Sequence, residues 1–133
     1  MFLNKEEFPL IMKATVLCVD DETKAHEEYD EFLTPEYKLV HAYDRKEAIR
    51  NLKSRKHIDV VLADYALIGD SGVQLLLQMR DLDFEMPVLI VSSRLNDHII
   101  SLAQRAGAYG AVRKEPRYYV PALEEILQAR HGE

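Results

Sequence analysis

Four short runs of near-continuous apolar residues restrict what this chain can fold into: residues 15–19, 58–63, 87–91 and the weaker 110–112, with an alternating stretch at 37–42. Val, Ile and Leu side by side over so short a span mark strands buried on both faces, the pattern of a parallel sheet with helices above and below. Helix-length segments lie between them. Residues 23–33 place Ala25, Tyr29, Phe32 and Leu33 on one face. Residues 45–56 follow Asp44, an expected N-cap, and turn Ala48, Ile49 and Leu52 inward. Residues 73–80 carry Val73, Leu76, Leu77 and Arg80 at turn spacing, with Leu75 and Met79 widening the face. Residues 96–106 start behind Asn96 and close on Gly107, and the stretch from about 118 to 130 offers Leu123, Ile126 and Leu127. Five strands alternating with five helices, joined by right-handed crossovers, give a doubly wound α/β sandwich. In such sheets ligands bind outside the carboxyl ends of the strands.

Composition narrows the partners. Seventeen Lys and Arg against 23 Asp and Glu leave a net charge of −6, the wrong sign for neutralising nucleic-acid phosphates or anionic lipid. Neither direct nucleic-acid binding nor a membrane role is expected. The single cysteine, Cys18, sits in an apolar run without an intrachain partner, which fits a reducing cytoplasm and a buried small hydrophobe. A hydrophobic fraction of 47% and no long apolar run describe an ordinary soluble domain, with 1–13 read as a leader segment and 14–133 as the domain proper.

The ends of the strands are polar. Asp20 and Asp21 follow the first strand, Asp64 ends the third, Ser92 the fourth and Lys114 the fifth. Taken singly, each has an ordinary structural explanation: an Asp or Ser after a strand caps the next helix, and a lysine there is solvated. Together they gather three carboxylates, a hydroxyl and an ammonium on one rim, an arrangement that capping does not require. Carboxylates so close need compensation by Lys114 and a divalent cation. An all-oxygen set without clustered His or Cys favours magnesium.

These residues resemble the receiver (CheY-like) domains of two-component response regulators, over nearly the whole chain. Val16-Leu17-Cys18-Val19-Asp20-Asp21-Glu22 looks like the family's first strand and acidic pair, and Val60-Val61-Leu62-Ala63-Asp64 like the strand ending in its phosphoacceptor. Asp70-Ser71-Gly72 follows at a typical distance, Pro87 to Ser93 resembles the strand with the phosphate-binding hydroxyl, and Ala106-Gly107-Ala108 leads to Lys114. The resemblance implies a flavodoxin-like sheet of strand order 2-1-3-4-5. It implies that Asp64 takes a phosphoryl group from a sensor histidine kinase or phosphotransfer protein, that Asp20, Asp21, Asp64 and the main-chain carbonyl of Ala66 hold Mg2+, and that Ser92 and Lys114 bind phosphoryl oxygens. It further implies signalling by conformational change to an effector domain or protein, rather than classified enzyme activity, and a homodimer through the face of the fourth helix, fifth strand and fifth helix.

Three positions depart from the family pattern. Ala111 replaces the usual aromatic three residues before the lysine, Glu115 comes between Lys114 and Pro116, and Ile68 stands where a proline commonly follows the phosphoacceptor. They bear on transmission more than on chemistry, and Tyr109 and Tyr118 become the nearby candidates for carrying the switch. A trans bond is expected between Lys114 and Glu115. Two other readings compete: a phosphate-independent pseudo-receiver acting as an interaction module, and an aspartate-nucleophile phosphatase of the dehalogenase type. The phosphatase would need a second Asp where this chain has Ala66.

Overall fold

The computed structural model describes residues 13–54 and 57–131, with side chains described as far as residue 129. Most of the expected leader therefore lies outside the described residues. The parallel sheet consists of β1 (Thr15–Val19), β2 (Lys38–Ala42), β3 (Val60–Asp64), β4 (Val88–Ser92) and β5 (Gly110–Arg113), in the order β2-β1-β3-β4-β5. The helices are α1 (Thr23–Leu33), α2 (Arg45–Ser54), α3 (Gly72–Asp81), α4 (Asp97–Ala106) and α5 (Pro116–His131). The doubly wound topology and the strand order are as expected.

Period-two alternation along β1 divides the interior into two layers. Leu17 and Val19 face one way, into a cluster with Ala48, Ile49 and Leu52 of α2 and Leu75, Leu76 and Met79 of α3. Val16 and Cys18 face the other, against Ala25, Tyr29 and Leu33 of α1 and Tyr119, Leu123 and Ile126 of α5. Cys18 is fully buried, and burial pushes its thiol far above the usual range, as expected of a structural cysteine.

Local chemistry sets the helix ends. Asp44 Oδ1 accepts from the Glu47 N–H at 2.7 Å, Ser71 Oγ from Gln74 N–H at 3.1 Å, and Asn96 Oδ1 from Ile99 N–H at 2.9 Å. Gly107 closes α4 at φ 90°, a conformation that costs glycine little.

Two helix faces differ from expectation. On α1 the buried set is Ala25, His26, Tyr29 and Leu33, while Phe32 is 46% exposed. The stripe is rotated because His26 finds hydrogen-bond partners beneath the helix. On α3 the buried set is Gly72, Val73, Leu75, Leu76 and Met79, and Leu77 is 43% exposed. Arg80 is only partly buried, and its Nη1 donates to the Phe84 carbonyl at 2.7 Å. α5 begins two residues earlier than expected, at Pro116, where a fixed φ and a missing N–H suit a first turn.

Candidate functional site

Strand register decides where the polar ends meet. Val19 pairs with Ala63, so Asp20 and Asp64 leave the sheet side by side; Asp64 pairs with Val91 and Ser92 with Arg113, which brings Lys114 to the same rim. Main-chain bonds hold this edge: Asp20 N–H donates to Ala42 O at 3.1 Å, Tyr65 N–H to Val91 O at 2.8 Å and Lys114 N–H to Ser92 O at 3.0 Å.

Lys114 sits at the centre. Its Nζ lies 2.8 Å from Asp20 Oδ2, 2.9 Å from Asp64 Oδ2 and 3.6 Å from Glu22 Oε1. Burial alone would lower the ammonium, but its hydrogen bonds to Asp20 and Asp64 outweigh that and hold it above its usual range. Asp64 is raised as well, up to about 6, by burial and the Asp20 charge against the pull of Lys114. Its Oδ1 accepts from the Ala66 N–H at 3.3 Å. Ala66 itself is exposed and belongs to a two-residue antiparallel ladder in which residues 66–67 pair with 70–71, folding the loop back toward α3.

Asp21 is half-buried, and its Oδ2 accepts from the Ile68 N–H at 2.7 Å. Carboxylate oxygens of Asp20, Asp21, Glu22 and Asp64 all lie within 4.8 Å of one another. That donor set, all hard oxygen and strongly anionic, fits magnesium, with Lys114 as the only nearby countercharge described. Glu22 is an addition to the expected ligands. Ser92 is buried at the end of β4, its Oγ accepting from Arg94 N–H at 3.3 Å.

Sequence reading missed three other contributors. Gly72 packs against the end of β3 so closely that a Cβ there would stand 2.5 Å from the Asp64 carbonyl oxygen. A glycine opening α3 just after Asp70-Ser71 was the available signal. Tyr29, counted only as core, donates its hydroxyl to Asp20 Oδ2 at 2.9 Å; burial and the Asp20 charge keep that phenol far above its usual range, so it remains a donor. His26 Nε2 sits 2.7 Å from the Asp20 carbonyl oxygen, its Nδ1 meets His41 Nδ1, and His41 Nε2 reaches Asp30 Oδ1 at 2.9 Å.

The departures in the family pattern are also placed. Ala111 is half-buried against the α2–α3 side of the core. Ile68 is 89% exposed beside Asp21. Tyr109 and Tyr118 both lie at the surface, with the Arg117 guanidinium 4.9 Å over the Tyr118 ring. The Lys114–Glu115 bond is trans; the cis bond among the described residues is Thr34–Pro35. No helix among the described residues is long and apolar enough to cross a membrane.

Residues 16–120 match the model of the response regulator receiver domain. The hydrogenase transcriptional regulatory protein HoxA of Cupriavidus necator is 28% identical over 121 residues, covering 89% of this chain and 25% of HoxA. The putative two-component response regulator ARR21 of Arabidopsis thaliana is 32% identical over 106 residues, 78% of this chain and 17% of ARR21. The chain thus spans a quarter or less of each of these relatives. Among solved structures, a LuxR-family two-component response regulator from Aurantimonas superposes with a TM-score of 0.80 at 30% identity, over 88% of this chain and 86% of that one.

Proposed function

This chain belongs to the response regulator receiver family, and from that premise we propose that it is a phosphoacceptor domain in which Asp64 takes a phosphoryl group from the phosphohistidine of a sensor kinase or phosphotransfer protein. The observation that carries the reading is the clasp of Lys114 on Asp64 and Asp20, at 2.9 and 2.8 Å, inside a ring of acidic oxygens.

In the proposed reaction a carboxylate oxygen of Asp64 attacks phosphorus, the P–N bond to the donor imidazole breaks, and the imidazole leaves as the neutral base once it has taken a proton. An acyl phosphate is left on Asp64. Asp20, Asp21, Asp64 and the carbonyl of Ala66 would hold Mg2+, with Glu22 at the edge; bound there, the ion supplies positive charge against phosphoryl oxygens. The chain's own groups do the positioning. Burial strips water from Asp64, and the Ala66 N–H fixes one of its oxygens while Lys114 holds the other. Lys114, on a flexible stem, is free to transfer its hydrogen bonds to phosphoryl oxygens, and the Ser92 hydroxyl stands on the adjacent strand to join it.

Incubation with acetyl phosphate and magnesium tests the reading by mass spectrometry. The chain should gain ~80 Da, a phosphoryl group, and Asp64→Asn should gain nothing. An adduct on Asp64→Asn would place the acceptor elsewhere. The second reading, a phosphate-independent interaction module, draws on Ala111, which has no ring to rotate into the space left by a moving hydroxyl. Failure of the wild-type chain to take phosphate from any donor would favour it. Partner kinase, attached effector and a dimer through α4, β5 and α5 belong to this proposal as the family's ordinary connections.

A further inference from the structure

Helix α1 grips Asp20 at two points. His26 Nε2 donates to its main-chain oxygen at 2.7 Å, and Tyr29 donates its hydroxyl to Oδ2 at 2.9 Å. The two residues are three apart, so both project from one side of the helix, and their rings meet edge to face with centroids 5.8 Å apart. Neither grip is loose. Tyr29 is fully buried and braced by the Tyr119 ring at 5.5 Å, while His41 closes on the far side of His26.

Both carboxylate oxygens of Asp20 therefore accept hydrogen bonds before any cation arrives. Oδ1 accepts from Glu22 N–H at 3.0 Å, and Oδ2 takes both the Tyr29 hydroxyl and the Lys114 ammonium. A cation drawn to Oδ2 competes with both donors there, and one drawn to Oδ1 meets a carboxylate whose charge those donors already share. Lys114 hangs on four rotatable bonds and is able to leave. Tyr29 is enclosed in the core and has nowhere to go.

We propose that Tyr29 acts through Asp20: by keeping a permanent hydrogen bond on Oδ2, it holds down the affinity of the acidic rim for a divalent cation. The proposal rests on the reading of that rim as a magnesium site. Its physical basis is that a donor on a carboxylate withdraws negative charge that a cation would otherwise use. Removing the hydroxyl leaves the metal-free carboxylate under-satisfied and so increases what the cation gains by binding.

The test is a calorimetric magnesium titration of the full chain and of Tyr29→Phe. The half-saturating concentration should fall roughly three- to tenfold in the variant, the factor that one net hydrogen bond of ordinary strength is worth. An unchanged or higher value overturns the proposal, since a purely structural tyrosine would leave affinity alone or weaken it. The same substitution in an Asp20→Ala background should have no effect on whatever binding remains; equal tightening there would show that the influence bypasses Asp20. The wild-type chain supplies an independent readout by NMR: a slowly exchanging Tyr29 phenol proton in the metal-free protein, shifting as magnesium is added. Absence of that proton defeats the clamp even if magnesium binds. Its presence without magnesium binding defeats the affinity role and the metal reading, leaving no effect for Tyr29 to exert.

Discussion

Lys114 and Asp64, fifty residues apart in the chain, are joined by a hydrogen bond of 2.9 Å between Nζ and Oδ2. The same ammonium holds Asp20 at 2.8 Å. Lys114 thus stands in for the cation that two adjoining buried carboxylates require, and the resting site is a closed electrostatic unit.

Asp64 is costly to keep ionised in the metal-free protein. Its carboxyl is raised from 3.8 to about 6, chiefly by burial. A raised carboxyl contributes stability fully present below pH ~3.8 and lost as pH rises through ~6. Asp64→Asn should therefore denature later than the wild type above pH ~6 in the presence of a chelator, by on the order of 2 kcal/mol, with the gap closing toward pH ~4. Urea midpoints across that window check it; a gap independent of pH would assign the effect to something other than this carboxyl.

The acidic pair should be indispensable for metal. Asp20→Asn combined with Asp21→Asn removes two charges while leaving one amide oxygen at each position to accept, from Tyr29 or the Glu22 N–H at position 20 and from the Ile68 N–H at position 21. Magnesium binding by calorimetry and phosphorylation from acetyl phosphate should both disappear while circular dichroism stays native. Retained magnesium affinity would remove the pair from the site.

Gly72 should tolerate no side chain. A Cβ would meet the Asp64 carbonyl oxygen at 2.5 Å and the Ala63 Cβ at 3.2 Å, contacts that only backbone movement relieves. Gly72→Ala should cost about 2 kcal/mol of stability and slow phosphorylation, because the strand that must shift carries Asp64, the proposed nucleophile. Unaltered rates and stability would mean that the loop yields without disturbing Asp64.

Switching should begin at Ser92 and reach the surface through a side chain other than Ala111. Beryllofluoride, a stand-in for the phosphoryl group, is expected to move the Ser92 loop and change the NMR environments of Tyr109 and Tyr118, which are 47% and 40% exposed. Ser92→Ala should suppress the response. A response that survives in full with both Tyr109→Ala and Tyr118→Ala would leave loop movement as the carrier.

The alternation of apolar runs and amphipathic segments was enough to give the α/β class, because continuous Val and Ile runs bury both strand faces and leave helices as the only cover. Polar residues at strand ends gave the rim for a similar reason: a parallel sheet points every carboxyl end the same way, so Asp20, Asp64, Ser92 and Lys114 had to gather. What no local pattern contained was the contact made through three dimensions. Tyr29 and Leu33 look alike as apolar positions on α1, yet only packing against Tyr119 points the Tyr29 hydroxyl at Asp20. His26 carries no local signal of burial, yet β2 brings His41 against it, and the resulting rotation of α1 leaves Phe32 outside. Periodicity reports how a helix is striped; the partners that satisfy its polar groups decide which stripe turns inward, and those partners lie on other elements of the fold.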